Sequence, residues 1–76
     1  MKSKSSKAFR QKLGGRIKGF RKEQKISQDQ LAFNSGISRE EMYRIELGYQ
    51  NASIDILLAI AKELDVHIKD IFDFEY

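Results

Sequence analysis

The 76-residue chain contains no cysteine and no proline. Without cysteine it can form neither a disulfide nor a thiolate metal site, and the absence fits a reducing compartment. Without proline nothing interrupts a helical reading of the chain. No apolar run approaches the ~20 residues that a membrane span needs. No stretch alternates apolar and polar residues as a half-buried strand would. The start, MKSKSSK, is charged but leads into no apolar stretch, so it does not read as a secretory signal. One cytoplasmic, all-α domain is the expectation. It is a small one, because a chain this short buries only roughly 60% of its unfolded surface. Catalysis has little to rest on. With a single histidine and no carboxylate pair supported as an active site, neither an enzyme nor a bound cofactor or metal is expected.

What the chain does have is charge, unevenly placed. Residues 1–25 hold ten of the 14 Lys and Arg and one acid, Glu23, whereas residues 54–76 hold six acids and two lysines. A basic end points to an anionic partner, most often nucleic acid. The plainer alternative is a solvated lysine tail that keeps a small protein dissolved.

Residues 1–7 are rich in Ser and Lys and read as a disordered tail, leaving 8–76 as the domain. Phe9, Leu13, Ile17 and Phe20 recur at helical spacing and predict a first amphipathic helix. Gly14, Gly15 and Gly19 weaken it by roughly 1 kcal/mol each relative to Ala, which suggests close helix contacts. GGRIKG lacks the Gly-Lys-Ser/Thr ending of a phosphate loop. Ser27 can cap a second helix, with Gln30 returning the bond and Ile26 stapling onto Leu31. The pattern repeats at Ser38, Glu41, Ile37 and Met42. Two such boxes eleven residues apart require two helices, so the first of them ends after about two turns, at Gly36. Gly48 ends the next. Ser53 caps a fourth helix with a core face of Ile54, Leu57, Leu58, Ile60, Ala61 and Leu64, and Asp65 ends it in a left-handed conformation. A short fifth helix follows around Ile68, Ile71 and Phe72.

Two short helices about a glycine corner match a helix-turn-helix, whose second helix lies in the DNA major groove, though the same unit also occurs in proteins that never touch DNA. On the third helix Met42 and Ile45 point to the core, which leaves Arg39, Glu40, Tyr43 and Arg44 outward. Arginine can bond guanine at two atoms, and a carboxylate can accept from cytosine N4. Tyr43 can bond a phosphate or pack on a thymine methyl. The alternative is a solvated face on which Glu40 and Arg44 form an i,i+4 ion pair worth a few tenths of a kcal/mol.

From Leu13 to Phe72 the chain resembles the phage-repressor and Cro-like helix-turn-helix domains, through LGGRIKGFRKEQKISQDQLA, the SQDQLAFNSGIS corner and the YRIELG ending. NASIDILLAIAKELDV resembles the fourth helix of small controllers found with restriction–modification systems. The resemblance implies a five-helix fold of the lambda-repressor type and a sequence-specific regulator of transcription that binds double-stranded DNA. It places Arg39, Glu40 and Arg44 at base edges with Tyr43 beside them. It places Gln28 and Ser38 at phosphates, with Gln50 and Asn51 in a loop whose backbone amides meet phosphate. It also makes Arg21 and Glu46 a buried ion pair tying the first helix to the third.

The chain departs from that pattern at Phe33, where a polar residue is usual, at Tyr49, often basic, and at His67, which replaces a capping Ser or Thr and is more readily a weak cap or surface residue than a metal ligand. Phe33 either packs under the N-terminal segment or extends a contact surface. Glu40 and Glu41 should repel phosphate, so affinity is expected to rest on backbone contacts and on the basic first segment. One short reading helix covers few base pairs, so a homodimer on a palindrome is expected, through Ile68, Ile71, Phe72, Phe74 and Tyr76. No membrane and no small-molecule ligand is expected as a partner. Two rival readings use the same fold. One is an antitoxin-like protein-interaction module. The other is an RNA-associated or coactivator module that does not read bases.

Overall fold

The computed structural model describes residues 6–75. Among them the chain forms five helices and no strand: α1 (Ser6–Glu23), α2 (Gln28–Ser35), α3 (Arg39–Leu47), α4 (Ile54–Glu63) and α5 (Ile68–Ile71). Of the residues expected to form a disordered tail, Ser6 and Lys7 lie in α1, and residues 1–5 lie outside the described residues. One core gathers Leu13 and Ile17 from α1, Leu31 from α2, Met42 and Ile45 from α3, Leu57, Ile60 and Leu64 from the α4 segment, and Ile71 from α5. Burying such side chains contributes roughly 1.5–3 kcal/mol each.

Local chemistry fixes where the helices begin. The hydroxyls of Ser27, Ser38 and Ser53 accept from the backbone N–H three residues on, at 3.0, 3.0 and 3.1 Å. The reciprocal half of the two expected capping boxes does not form. The Gln30 amide donates to Asn34 Oδ1 instead, and the Glu41 carboxylate accepts from Gln50. Only α5 has a returning carboxylate among the described residues: Asp70 Oδ2 accepts from the His67 N–H at 3.1 Å.

The first four helices end alike. Lys25, Gly36, Gly48 and Asp65 are left-handed, with φ of 59°, 79°, 81° and 57°. In each case the following N–H reaches back five residues: Ile26 to Arg21, Ile37 to Ala32, Tyr49 to Arg44, and Val66 to Ala61. This bond satisfies a carbonyl that the helix end leaves open, and Ile26, Ile37 and Val66 fold onto the core, whereas Tyr49 stays exposed. Lys25 takes that conformation without being Gly, Asn or Asp, so no residue type signals it in the sequence.

The core face of α4 is narrower than the apolar pattern predicts. Leu57, Ile60, Ala61 and Leu64 are buried, but Ile54 is 63% exposed and Leu58 48%. At 100° per residue these two lie about 70° and 110° from the centre of the buried arc, on its flank. The glycines of α1 also divide. A Cβ on Gly14 would run into the backbone carbonyls of Ile45 and Glu46, so α1 crosses α3 there at glycine distance, whereas Gly15 and Gly19 face open space.

Candidate nucleic-acid interface

The α1–α3 crossing is locked by an ion pair. Arg21 Nε lies 2.7 Å from Glu46 Oε2 and Arg21 Nη2 3.0 Å from Glu46 Oε1. The two side chains are 10% and 2% exposed. Arg21 Nη1 also donates to the Ile26 carbonyl at 3.0 Å, in the turn that leads into α2. Gln28, at the first position of α2, donates from Nε2 to Glu46 Oε1 at 3.0 Å. One carboxylate on α3 therefore sets the position of α1 and of the start of α2. The side chain expected at a phosphate is tied to that pair.

With α2 and α3 so held, Arg39, Glu40, Tyr43 and Arg44 form one exposed face. Gln28, Arg39, Glu40 and Tyr43 line an open cleft of about 340 Å³ between the starts of the two helices. Arg39 Nε lies 3.5 Å from Asp29 Oδ1, both side chains being about two-thirds exposed (63% and 65%). Such a surface pair contributes roughly 0–1 kcal/mol. The Glu40–Arg44 ion pair weighed as an alternative does not form among the described residues. Arg44 Nε donates to Gln50 Oε1 at 2.8 Å instead, because the loop after α3 folds back along the helix. Ser38 has its hydroxyl engaged as the α3 cap.

The same loop is clasped from α1. Arg10 donates to the Gly48 carbonyl at 3.1 Å and to Asn51 Oδ1 at 3.5 Å. Lys7 stands 6.0 Å from the centre of the Tyr49 ring, so a cation lies over the position where Tyr49 replaces an often basic residue. Farther along α1, Arg16 donates to the Asp70 carbonyl at 2.8 Å, and Gln24, just past the end of the helix, donates to the Leu64 carbonyl at 2.6 Å. Three polar side chains, two on α1 and one in the turn after it, thus meet carbonyls at or near the ends of α3, α4 and α5, where a donor is favourable. None of these roles was evident from the charge count. The one available signal was that arginine, the bidentate donor, alternates with lysine along α1.

The expected dimer residues separate. Ile71 has no exposed surface and closes the core, so it cannot serve an interface. Ile68 and Phe74 are partly buried against the same core. Phe9 of α1 stacks on Phe72 at 6.1 Å between ring centres and meets Phe74 at 5.2 Å. The short tail therefore covers more of its apolar surface than its length suggested, because α1 extends far enough to receive it. Phe72 remains 36% exposed, and Tyr76 lies outside the described residues. Phe33 is 80% exposed on α2, and among the described residues no segment covers it. It is flanked by the exposed polar residues Gln30 and Asn34.

Two short helices about Gly36, the second with a solvent-facing polar stripe and an N-terminus beside the start of the first, define a helix-turn-helix protein. The chain belongs to a helix-turn-helix family whose model matches residues 17–71. It is 39% identical over 59 residues to the immunity repressor protein of Bacillus phage phi105, an alignment spanning 78% of this chain and 41% of the repressor. The structure is similar to the restriction–modification controller protein C.AhdI from Aeromonas hydrophila, with a TM-score of 0.84 and 34% identity over 86% of this chain and 98% of that one. It is also similar to SinR, the master regulator for biofilm formation, whose structure was solved in complex with DNA. That match has a TM-score of 0.76 and 35% identity, over 80% of this chain and 98% of that one. Both likenesses noted in the sequence, to phage repressors and to restriction–modification controllers, are found in these comparisons.

Proposed function

We propose that the protein is a sequence-specific transcriptional regulator that places α3 in the major groove of double-stranded DNA. The observation that carries this reading is the fixed α2–α3 unit. Glu46 holds Gln28 at one end of the face, Arg39 and Arg44 stand on α3, and the loop of Gln50 and Asn51 closes the other end under Arg10 and Lys7. Gln28, Ser38 and the backbone of the Gln50–Asn51 loop bracket the face as phosphate contacts, and Arg39, Glu40, Tyr43 and Arg44 meet base edges. The similarity to a regulator solved on DNA supports the same placement. The exposed lysines of α1 add long-range attraction. A regulator's role is what the helix-turn-helix family match and the similarity to a phage immunity repressor support; among the described residues no helix is long and apolar enough to cross a membrane.

The reading includes a homodimer, with its surface moved from Ile71 to the outer flank of α4. Ile54 and Leu58 are i,i+4 neighbours and exposed, and Ile54 and Phe72 line one apolar recess of about 220 Å³ with Phe9, Leu13 and Leu57. This surface leaves α3 free, as a two-fold pair reading successive turns of DNA requires. Binding to duplex DNA across a salt series tests the proposal. Affinity should fall steeply and linearly in log–log form as phosphate counterions are released. Binding to single-stranded RNA as tight as to the duplex would overturn it.

A further inference from the structure

Gln50 makes two side-chain bonds, both to α3. Its Oε1 accepts from Arg44 Nε at 2.8 Å, and its Nε2 donates to Glu41 Oε2 at 3.0 Å. The amide thus faces a cation with its acceptor and an anion with its donor, and each end fixes the orientation of the other. Glu41 and Gln50 are half-buried, whereas Arg44 is exposed. The bridge therefore runs from a partly sheltered anchor out to the reading face.

The consequence falls on Arg44. Its guanidinium is planar, and Nε is taken on the side of Gln50. Among the described residues its two terminal nitrogens have no partner. Two adjacent N–H groups match the O6 and N7 acceptors that guanine shows in the major groove. An arginine already held gives up less freedom on binding than one that is not. Arg39 is the contrast, since its contact is a 3.5 Å pair with an exposed Asp29.

We propose that Gln50 is a positioning residue for specificity: anchored on Glu41, it holds Arg44 so that the guanidinium reads a guanine. This rests on the DNA-binding reading above and deepens it, because a loop residue expected only at a phosphate takes part in base choice through its side chain. Glu41 becomes an anchor in the first turn of α3, where a carboxylate is favourable, and no longer a free charge set against the phosphates.

The test is a random-sequence duplex selection with the full-length protein. It is followed by affinities for the selected site, for the same site changed at each guanine, and for unrelated duplex. Gln50→Ala keeps the backbone amide, so any phosphate contact of the loop survives. It should reduce discrimination on the order of tenfold at the guanine that Arg44→Ala also stops reading. Affinity for the selected site should fall more than affinity for unrelated DNA, and a cooperative thermal melt should show the variant folded. Glu41→Ala should weaken preference for the same guanine, and Glu41→Gln, which keeps an acceptor oxygen, should restore it. Full discrimination by Gln50→Ala, equal losses on cognate and unrelated DNA, or a base other than guanine at the position read by Arg44 would each overturn the proposal. A parent protein that enriches no sequence overturns the DNA-binding reading and this inference together. Loss at a guanine with Arg44→Ala but not with Gln50→Ala overturns the positioning role alone.

Discussion

Arg21 and Glu46 meet as two parallel bonds, 2.7 and 3.0 Å long, between α1 and α3, with Glu46 almost wholly out of solvent. Removing one partner leaves the other charge buried and unpaired. Glu46→Ala should therefore destabilise the fold by about 3–5 kcal/mol without any DNA present, read as a large fall in melting temperature. A melting temperature within error of the parent would contradict a structural role for the pair.

Gly14 and Gly15 are neighbours in sequence with opposite surroundings. Gly14→Ala pushes a methyl into the carbonyls of Ile45 and Glu46, which as backbone cannot step aside. A cost of about 1–3 kcal/mol is expected. Gly15→Ala meets open space in the middle of a helix and should stabilise by about 0.5–1 kcal/mol. Thermal melts of the two variants on opposite sides of the parent are the expected result.

Much of this was legible in the sequence because it depends on neighbours a few residues apart. Ser27, Ser38 and Ser53 cap where their spacing from the next apolar residue requires, and Gly36 and Gly48 stop helices. Met42 and Ile45 orient α3, and with it the exposed face of Arg39 and Arg44. What escaped depends on long-range geometry. Arg10, Arg16 and Gln24 read as solvated charge or polarity until the carbonyls of Gly48, Asp70 and Leu64 are seen beside them. Ile54 and Leu58 fit an apolar pattern but lie past the edge of what α2 and α5 cover. Gln50 was expected for its backbone, while its side chain joins two residues six and nine positions away.

Base and phosphate contacts should separate under substitution. Arg44→Ala is expected to cost about 1–3 kcal/mol on the cognate site and to relax one base position. Gln28→Ala should weaken cognate and random DNA alike, since a phosphate contact does not itself report sequence. Competition binding with both DNAs distinguishes the two patterns, and equal losses with Arg44→Ala would contradict a base-reading role.

The α4 flank should govern assembly. Leu58→Asp changes an exposed apolar residue, so the monomer should stay folded while a charge sits at the proposed two-fold surface. Sedimentation at tens of micromolar should show a dimer for the parent and a monomer for Leu58→Asp, with weaker binding to a palindrome. A parent protein that remains monomeric under those conditions would contradict the interface.

The most direct measurement of whether α3 reads DNA is a random-sequence duplex selection with the purified full-length protein, sequenced after successive rounds. The account predicts an enriched palindrome whose half-sites lie about 34 Å apart, one turn of the double helix. A pool that stays random through selection, with single-stranded RNA competing as well as duplex DNA, would contradict it.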